Sequence, residues 1–267
     1  MKISAYHKAQ GDSVELTSPL FVDQFDKIYA SKIFKDSHLP MLPATAIIGG
    51  SGFDLSIKLP PEIESQFPDY SLYRCDYAVG FTLRGCSRRC PFCIVHEKEG
   101  LPQVVGDIYN FWNGQKRLML LCNNLTADPK HFEKICRQLI ENRVETDFSQ
   151  GLDIRLITHY MAVLLAKVKL WKQIHFAFDN INLWKQVRDG IKTLDSGGVK
   201  RYKLMFFVLI GYNSTPHEDM VRTRLLRKWK VDPFVMPYDK TDQYQKDFAR
   251  WVNHKAIFKS VAWKHYR

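Results

Sequence analysis

From about Tyr77 onward, short apolar runs alternate with amphipathic stretches. Tyr77-Ala-Val-Gly-Phe-Thr-Leu83, Leu118-Met-Leu-Leu-Cys122, Thr146-Asp-Phe-Ser149, Gln173-Ile-His-Phe-Ala-Phe178, Lys203-Leu-Met-Phe-Phe-Val-Leu-Ile210 and Asp232-Pro-Phe-Val-Met236 read as six strands. Several of these runs are nearly continuous rather than alternating, which suits parallel strands covered on both faces. The segments between them repeat at helical spacing. Val104, Ile108 and Phe111 fall at i, i+4 and i+7, and Phe132, Ile135, Cys136, Leu139 and Ile140 form a full stripe behind an Asp128-Pro129 start signal. Met161, Leu164, Leu165 and Val168 repeat the pattern, as do Val221, Leu225 and Trp229.

Six strands joined by helices predict an α/β fold, a six-stranded and partly closed barrel with right-handed crossovers. Function in such sheets collects on loops beyond the C-terminal ends of the strands. Residues 1–75 read differently. Lys2–Gln10 predicts a short helix, Ser13–Leu16, Lys27–Ala30 and Thr45–Ile48 predict strands, and Gly49–Gly52 a turn. The core spans 76–239. The tail, 240–267, interleaves Phe248, Trp251, Phe258, Trp263 and Tyr266 with Lys240, Lys246, Arg250, Lys255, Lys259, Lys264 and Arg267, against Asp242 and Asp247. That mixture serves phosphate attraction and base stacking. Phe248, Trp251 and Lys255 also fall on helical spacing, so a helix packed across the barrel with a solvated basic face is the alternative.

Composition changes the picture in two ways. The 267 residues carry a net charge of +11, which favours encounter with anionic partners such as nucleic acid or nucleotides. No apolar run approaches the roughly 20 residues of a membrane span, and the start, Met1-Lys-Ile-Ser, lacks the apolar core of a secretory signal. A cytoplasmic protein with no membrane partner is expected, and its six cysteines read as metal ligands or buried thiols rather than a disulfide framework.

Three of those cysteines, Cys86, Cys90 and Cys93, stand in Cys-Ser-Arg-Arg-Cys-Pro-Phe-Cys. Thiolates select zinc, Cu(I) or iron–sulfur centres. Three on one loop reach one centre and leave a coordination position open for a ligand. With His96 they also make a candidate Cys3His zinc site, the basis of a zinc-stabilised nucleic-acid-binding module. The C-x3-C-x2-C spacing resembles the cluster loop of radical S-adenosylmethionine (radical SAM) enzymes.

That resemblance implies a [4Fe-4S] cluster held by Cys86, Cys90 and Cys93, with SAM on the fourth iron and an electron donor such as flavodoxin or ferredoxin. It implies a partial (β/α)6 barrel of the radical SAM type over roughly Tyr77–Tyr238. Phe92 matches the aromatic beside the last cysteine, near the adenine. Leu209-Ile-Gly211 matches a glycine-bearing segment flanking the adenosine. Gln150-Gly-Leu-Asp-Ile-Arg155 and Phe176-Ala-Phe-Asp179-Asn180 resemble stretches of B12-type radical SAM proteins and their small phage-associated relatives, and residues 1–75 resemble a truncated Rossmann-like domain of that group.

Two departures stand out. Cys122-Asn123-Asn124 occupies the place of the Gly-Gly-Glu that holds the SAM amino group, where asparagine carbonyls offer acceptors. The Asp-x-His-x-x-Gly signature of cobalamin binding is absent, so no cobalamin is expected. Arg155 offers a bidentate fork to the SAM carboxylate, with Asp153 on the same face to orient it or contact ribose. Asp179 and Asn180 end a strand on the active face, as ribose or substrate contacts or as a helix cap. Cys122 is a candidate hydrogen-atom donor or a small buried hydrophobe. Cys75 and Cys136 read as structural. A barrel that binds a cluster without catalysing is a further reading, in keeping with the missing Gly-Gly-Glu.

Overall fold

Helix α1 (Lys2–Ala9) opens the computed structural model, which describes residues 1–266. It packs on α2 (Pro61–Glu64), and β1 (Tyr29–Ser31) pairs in parallel with β2 (Ile47–Gly49). The helix and two of the three strands expected here form, each shifted by a residue or two. Ser13–Leu16 forms no strand, because its residues lie mostly exposed with no neighbouring ladder to join. Tyr70 ties this segment to the core: its hydroxyl donates to the Phe111 carbonyl and accepts from the Val79 N–H. Burial pushes that phenol up to about 12.

Strand β3 (Tyr77–Gly80) starts the main sheet. Beyond it β4 (Leu83–Arg84) pairs antiparallel with β5 (Gln103–Val104), bracketing a loop that carries α3 (Val95–Lys98). The helix expected through Val104, Ile108 and Phe111 is replaced by this pair and a single 3-10 turn, Ile108–Asn110, capped by Asp107. Val104 is taken by β5, while Ile108 and Phe111 still reach the core. Their spacing reports burial, not helix.

Then come β6 (Arg117–Leu120), α4 (Pro129–Glu141), β7 (Glu145–Phe148), α5 (His159–Lys167), β8 (Ile174–Ala177), α6 (Trp184–Ser196), β9 (Leu204–Ile210), α7 (Pro216–Lys228) and β10 (Asp232–Pro237). The stripes of α4 and α5 bury as the pattern predicts, with Asp128 and Thr158 capping their first turns. Helix α6, absent from the expected set, buries Val187, Gly190, Ile191 and Leu194. In α7 the buried face is Asp219, Arg222, Thr223 and Leu226 rather than the Val221, Leu225 and Trp229 stripe, which is only half-buried.

The six strands β3 and β6–β10 run parallel where they pair, in two sheets ordered β3-β6-β7 and β8-β9-β10. The sheets meet at a seam between β7 and β8. Thr146 N–H donates to the Lys169 carbonyl and Trp171 N–H to the Thr146 carbonyl, each at 2.8 Å; further along, His175 Nδ1 donates to the Phe148 carbonyl at 3.1 Å. On the far edge β10 meets no further strand among the described residues. The Asn253 side chain covers it, accepting from Val235 N–H at 2.7 Å and donating to its carbonyl at 2.9 Å. The described residues form an α/β fold with parallel sheets and no closed barrel.

Asn253 belongs to α8 (Gln243–Asn253), which packs on β10 and is followed by α9 (Lys255–Ser260). The tail's aromatics turn inward: Phe248, Trp251 and Phe258 are buried, and Trp263 packs edge-on against Phe248. Burial removes Phe248, Trp251 and Phe258 from base stacking, which corrects that part of the expectation. The helical alternative describes this segment, and Arg267 lies outside the described residues. Among the described residues no helix is long and apolar enough to cross a membrane.

Candidate cluster site

The cysteine loop is an excursion closed at its base. Cys86 N–H donates to the Gly100 carbonyl at 3.1 Å, and Val105 N–H to the Thr82 carbonyl at 3.0 Å. Gly85 makes the entry possible: its φ is +81°, and a Cβ there would fall 2.2 Å from the Leu101 carbonyl oxygen. Arg84 braces the base through Glu64 and Glu99. Inside the loop Cys93 N–H donates to the Cys90 carbonyl, and Arg88 N–H points to Cys86 Sγ at 3.4 Å. Cys86, Cys90 and Cys93 are free thiols, each half-buried.

A chain of hydrogen bonds leads from Cys86 to the loop after β7. Asn124 donates its amide to Cys86 Sγ at 3.6 Å, and its carbonyl accepts from the Thr126 hydroxyl at 2.6 Å. Thr126 Oγ1 accepts from Asp153 N–H at 3.1 Å. The Asp153 carboxylate accepts from Arg88 Nε at 2.9 Å and from Arg155 Nε and Nη2 at 2.7 and 2.9 Å. Burial pushes the Asp153 carboxyl up, but Arg155 and Arg88 outweigh it and hold the group below the usual carboxylate range. Asn123 serves the same loop, its carbonyl accepting from Gly85 N–H at 2.9 Å.

Several expected site residues therefore stand here with altered duties. The carbonyls of Asn123 and Asn124, expected as acceptors for an ammonium group, each already take a protein donor: Asn123 from Gly85 N–H at the entry of the cysteine loop, Asn124 from the Thr126 hydroxyl. One edge of the Arg155 fork is bound to Asp153, leaving Nη1 for another partner. Cys122 shares the buried face of Leu118 and Leu120 and accepts from Thr82 N–H at 3.3 Å, at the base of the cysteine loop. Asn180 caps the turn Ile181–Leu183 through the Asn182 N–H and is exposed. Cys136 is fully buried, and burial pushes its thiol well above the ordinary range.

Asp179 accepts from Leu209 N–H at 2.8 Å, and burial raises its carboxyl against the pull of Arg222 and Arg155. It also acts electrostatically on Cys90, whose thiol is raised by burial first and then by Cys93, Asp179 and Cys86. A metal centre taking up that thiolate must displace a firmly held proton. Phe92 meets Tyr212 edge-on at 5.3 Å, and Tyr212 meets Tyr238 at 4.9 Å, so the loop's aromatic is tied to the ends of β9 and β10. Gly211, between them in sequence, has φ +78°. Sequence reasoning missed Arg88, Thr126, Arg222 and Tyr212. Only Arg222 left a local signal, the i, i+3 pairing with Asp219.

Zinc binds thiolates at about 2.3 Å, which requires its four ligands within about 4 Å of one another. Among the described residues no group of three or more His, Cys, Asp or Glu side chains is placed to hold a metal ion, and His96 is exposed on α3. A multi-iron cluster takes each thiolate on a separate iron. Three free thiols on one loop, N–H groups aimed at Cys86 Sγ and cations beside the loop fit that kind of group.

No family model matches the chain. Over 125 residues, 44% of this chain, it is 25% identical to the ribosomal protein uS12 methylthiotransferase RimO of Psychrobacter sp. (strain PRwf-1), and the match spans 22% of that protein's length. The similarity agrees with the cysteine loop in pointing to the radical SAM superfamily and to an enzyme.

Proposed function

We propose that this chain is a radical SAM enzyme. Cys86, Cys90 and Cys93 hold a [4Fe-4S] cluster at the C-terminal mouth of a partial (β/α)6 barrel formed by β3 and β6–β10. The observation that carries the reading is the placement of three free thiols just beyond the first of six sequential parallel strands, on a loop braced from the second and third strand ends. Cys86, Cys90 and Cys93 would hold the cluster, which when bound would supply the electron for reductive cleavage of the S–C5′ bond of SAM, received from a flavodoxin- or ferredoxin-like donor.

The chain's own residues bind and orient. Arg88 and Arg155, fixed on Asp153, give the mouth a positive rim for the SAM carboxylate, with Arg155 Nη1 as its donor. Phe92, Tyr212 and Tyr238 form an aromatic wall suited to a purine. Asp179, held on Leu209, offers its second oxygen to a ribose hydroxyl. The net charge of +11 favours a nucleic-acid or nucleotide substrate.

Anaerobic purification tests the reading. About four irons and four sulfides per chain, with broad visible absorbance, support the cluster, and 5′-deoxyadenosine formed from SAM under dithionite supports the enzyme. One observation favours a second reading, a cluster-binding scaffold: the carbonyls of Asn123 and Asn124, where a SAM amino group would need acceptors, already accept from Gly85 N–H and the Thr126 hydroxyl. A full cluster with no SAM cleavage selects that scaffold. Stoichiometric zinc and no colour would overturn both.

A further inference from the structure

A second candidate site lies at the other end of the sheet. The strands are parallel and the cysteine loop follows β3, so the N-terminal ends of β9 and β10 face away from it. Seven residues in β9 at about 3.3 Å each put roughly 20 Å between the two ends. There a groove of 360 Å³ is lined by Tyr202, Arg227, Lys230, Val231, Phe258 and Lys259, together with Asp232 and Pro233.

The groove has an apolar floor and a cationic rim. Val231 and Phe258 are each 3% exposed. Arg227 fixes the wall, donating to the Phe258 and Lys259 carbonyls at 2.9 and 2.8 Å with its guanidinium 5.6 Å from the Phe258 ring. The groove's acid is already matched: Asp232 accepts from Lys255 at 2.6 Å and from Gln173 at 2.9 Å. Lys230 and Lys259 form no ion pair among the described residues, and Tyr202 stands 69% exposed beside them. A concavity with two ammonium groups outside ion-pair distance, Lys259 feeling only the already bridged Asp232, and an exposed aromatic ring suits a phosphate chain carrying flat bases.

We propose that this groove binds a single-stranded nucleic acid, with phosphates against Lys230 and Lys259 and one base on the Tyr202 ring. An acidic protein would use the cations but leave the ring and the apolar floor unfilled. The groove anchors the strand and takes no part in chemistry, being about 20 Å from the cysteine loop. The inference rests on the nucleic-acid part of the proposed function. Binding is measured without cluster or SAM cleavage, so either reading can fail alone.

Fluorescence anisotropy of labelled single-stranded RNA and DNA twelve-mers, titrated with the full chain at rising KCl, tests it. Lys230→Asn/Lys259→Gln is the first variant, asparagine being chosen because Lys230 has φ +61°. It should bind at least about tenfold more weakly at low salt and lose about 1.4 from the log–log salt slope, about 0.7 per single-strand phosphate contact. Tyr202→Ala should weaken binding roughly five- to hundredfold with the slope unchanged. Lys240→Gln/Lys246→Gln, at the opposite end of β10, should bind as wild type. Circular dichroism and unchanged iron content confirm that each variant folds. Salt-insensitive binding, an unaltered Tyr202→Ala, or equal loss in the Lys240/Lys246 control overturns the proposal. Displacement of the oligomer by AMP or inorganic phosphate at micromolar concentration overturns it in favour of a small-anion pocket. Displacement by polyglutamate at equal charge assigns the groove to acidic proteins and likewise overturns it.

Discussion

Arg88, inside the cysteine loop, donates through Nε to Asp153 across 2.9 Å, joining the loop that follows the first parallel strand to the one that follows the third. The Asp153 side chain is only 6% exposed and also binds Arg155, so one carboxylate anchors two cations of the candidate site.

Asp153→Asn should therefore loosen the cysteine loop. Charge-assisted bonds of this kind contribute about 1.5–3 kcal/mol, so a fall of several degrees in melting temperature is expected, at about 2–4 °C per kcal/mol for a chain of this size. The sign of the pH effect follows from the depressed carboxyl. Its contribution is complete above the unfolded pKa of about 3.9 and is lost as pH falls through the lower folded value. Urea midpoints should thus differ between wild type and variant at pH 7, and the difference should shrink as pH falls below about 3.9. A gap of constant size from pH 7 down to the most acid pH at which the protein stays folded would contradict the assignment.

Asn124→Leu tests the amide aimed at Cys86 Sγ. Hydrogen bonds to cluster sulfurs stabilise the reduced, more negative state. Losing one should move the midpoint potential of the reconstituted protein to a more negative value while iron content stays the same. An unchanged potential in a fully loaded variant would show that the amide only shapes the loop.

How far the sequence revealed this arrangement depends on what each residue packs against. The stripe of α4 was legible because Phe132, Ile135, Cys136 and Leu139 bury against the sheet with a proline and an aspartate marking the start. The face of α7 was not, because its core contact is an ion pair: apolar periodicity selects Val221 and Leu225, while Asp219 and Arg222 are the residues inside. The first crossover misled for a related reason. Ile108 and Phe111 are core residues spaced like a helix but delivered by a 3-10 turn. The cysteine triplet was visible from spacing alone, whereas the Asn124–Thr126–Asp153 relay is a tertiary contact with no periodic signature.

Gly211→Ala should destabilise the end of β9. The backbone there has φ +78°, and an added Cβ would fall 2.3 Å from the Gln245 side chain, which itself accepts from Asp239 N–H. The left-handed conformation alone costs an alanine about 1–2 kcal/mol, and displacing Gln245 adds the loss of that bond. Calorimetry should show a melting temperature lower by at least about 2–4 °C. A wild-type value would mean that the β9–α7 loop re-forms freely and does not fix Tyr212 against Phe92.

The ion pair under the site gives the largest expected effect. Arg222 is fully buried; it donates to Asp219 at 2.7 Å, to the Phe178 carbonyl at 2.8 Å and to the Leu209 carbonyl at 2.9 Å. It thereby clamps the ends of β8 and β9, where Asp179 takes the Leu209 N–H. Asp219→Ala leaves an uncompensated buried cation and should cost about 3–5 kcal/mol. Removing both charges, as Asp219→Leu/Arg222→Met, avoids that penalty but leaves the Phe178 and Leu209 carbonyls without donors. Two such carbonyls at about 1–3 kcal/mol each keep the double variant below wild type, by an amount comparable to the loss in Asp219→Ala, so the order of the two variants reports which contact dominates. Chemical denaturation of the three proteins decides the order. A double variant less stable than Asp219→Ala would mean that the carbonyl contacts of Arg222, not its pairing with Asp219, hold the two strand ends together.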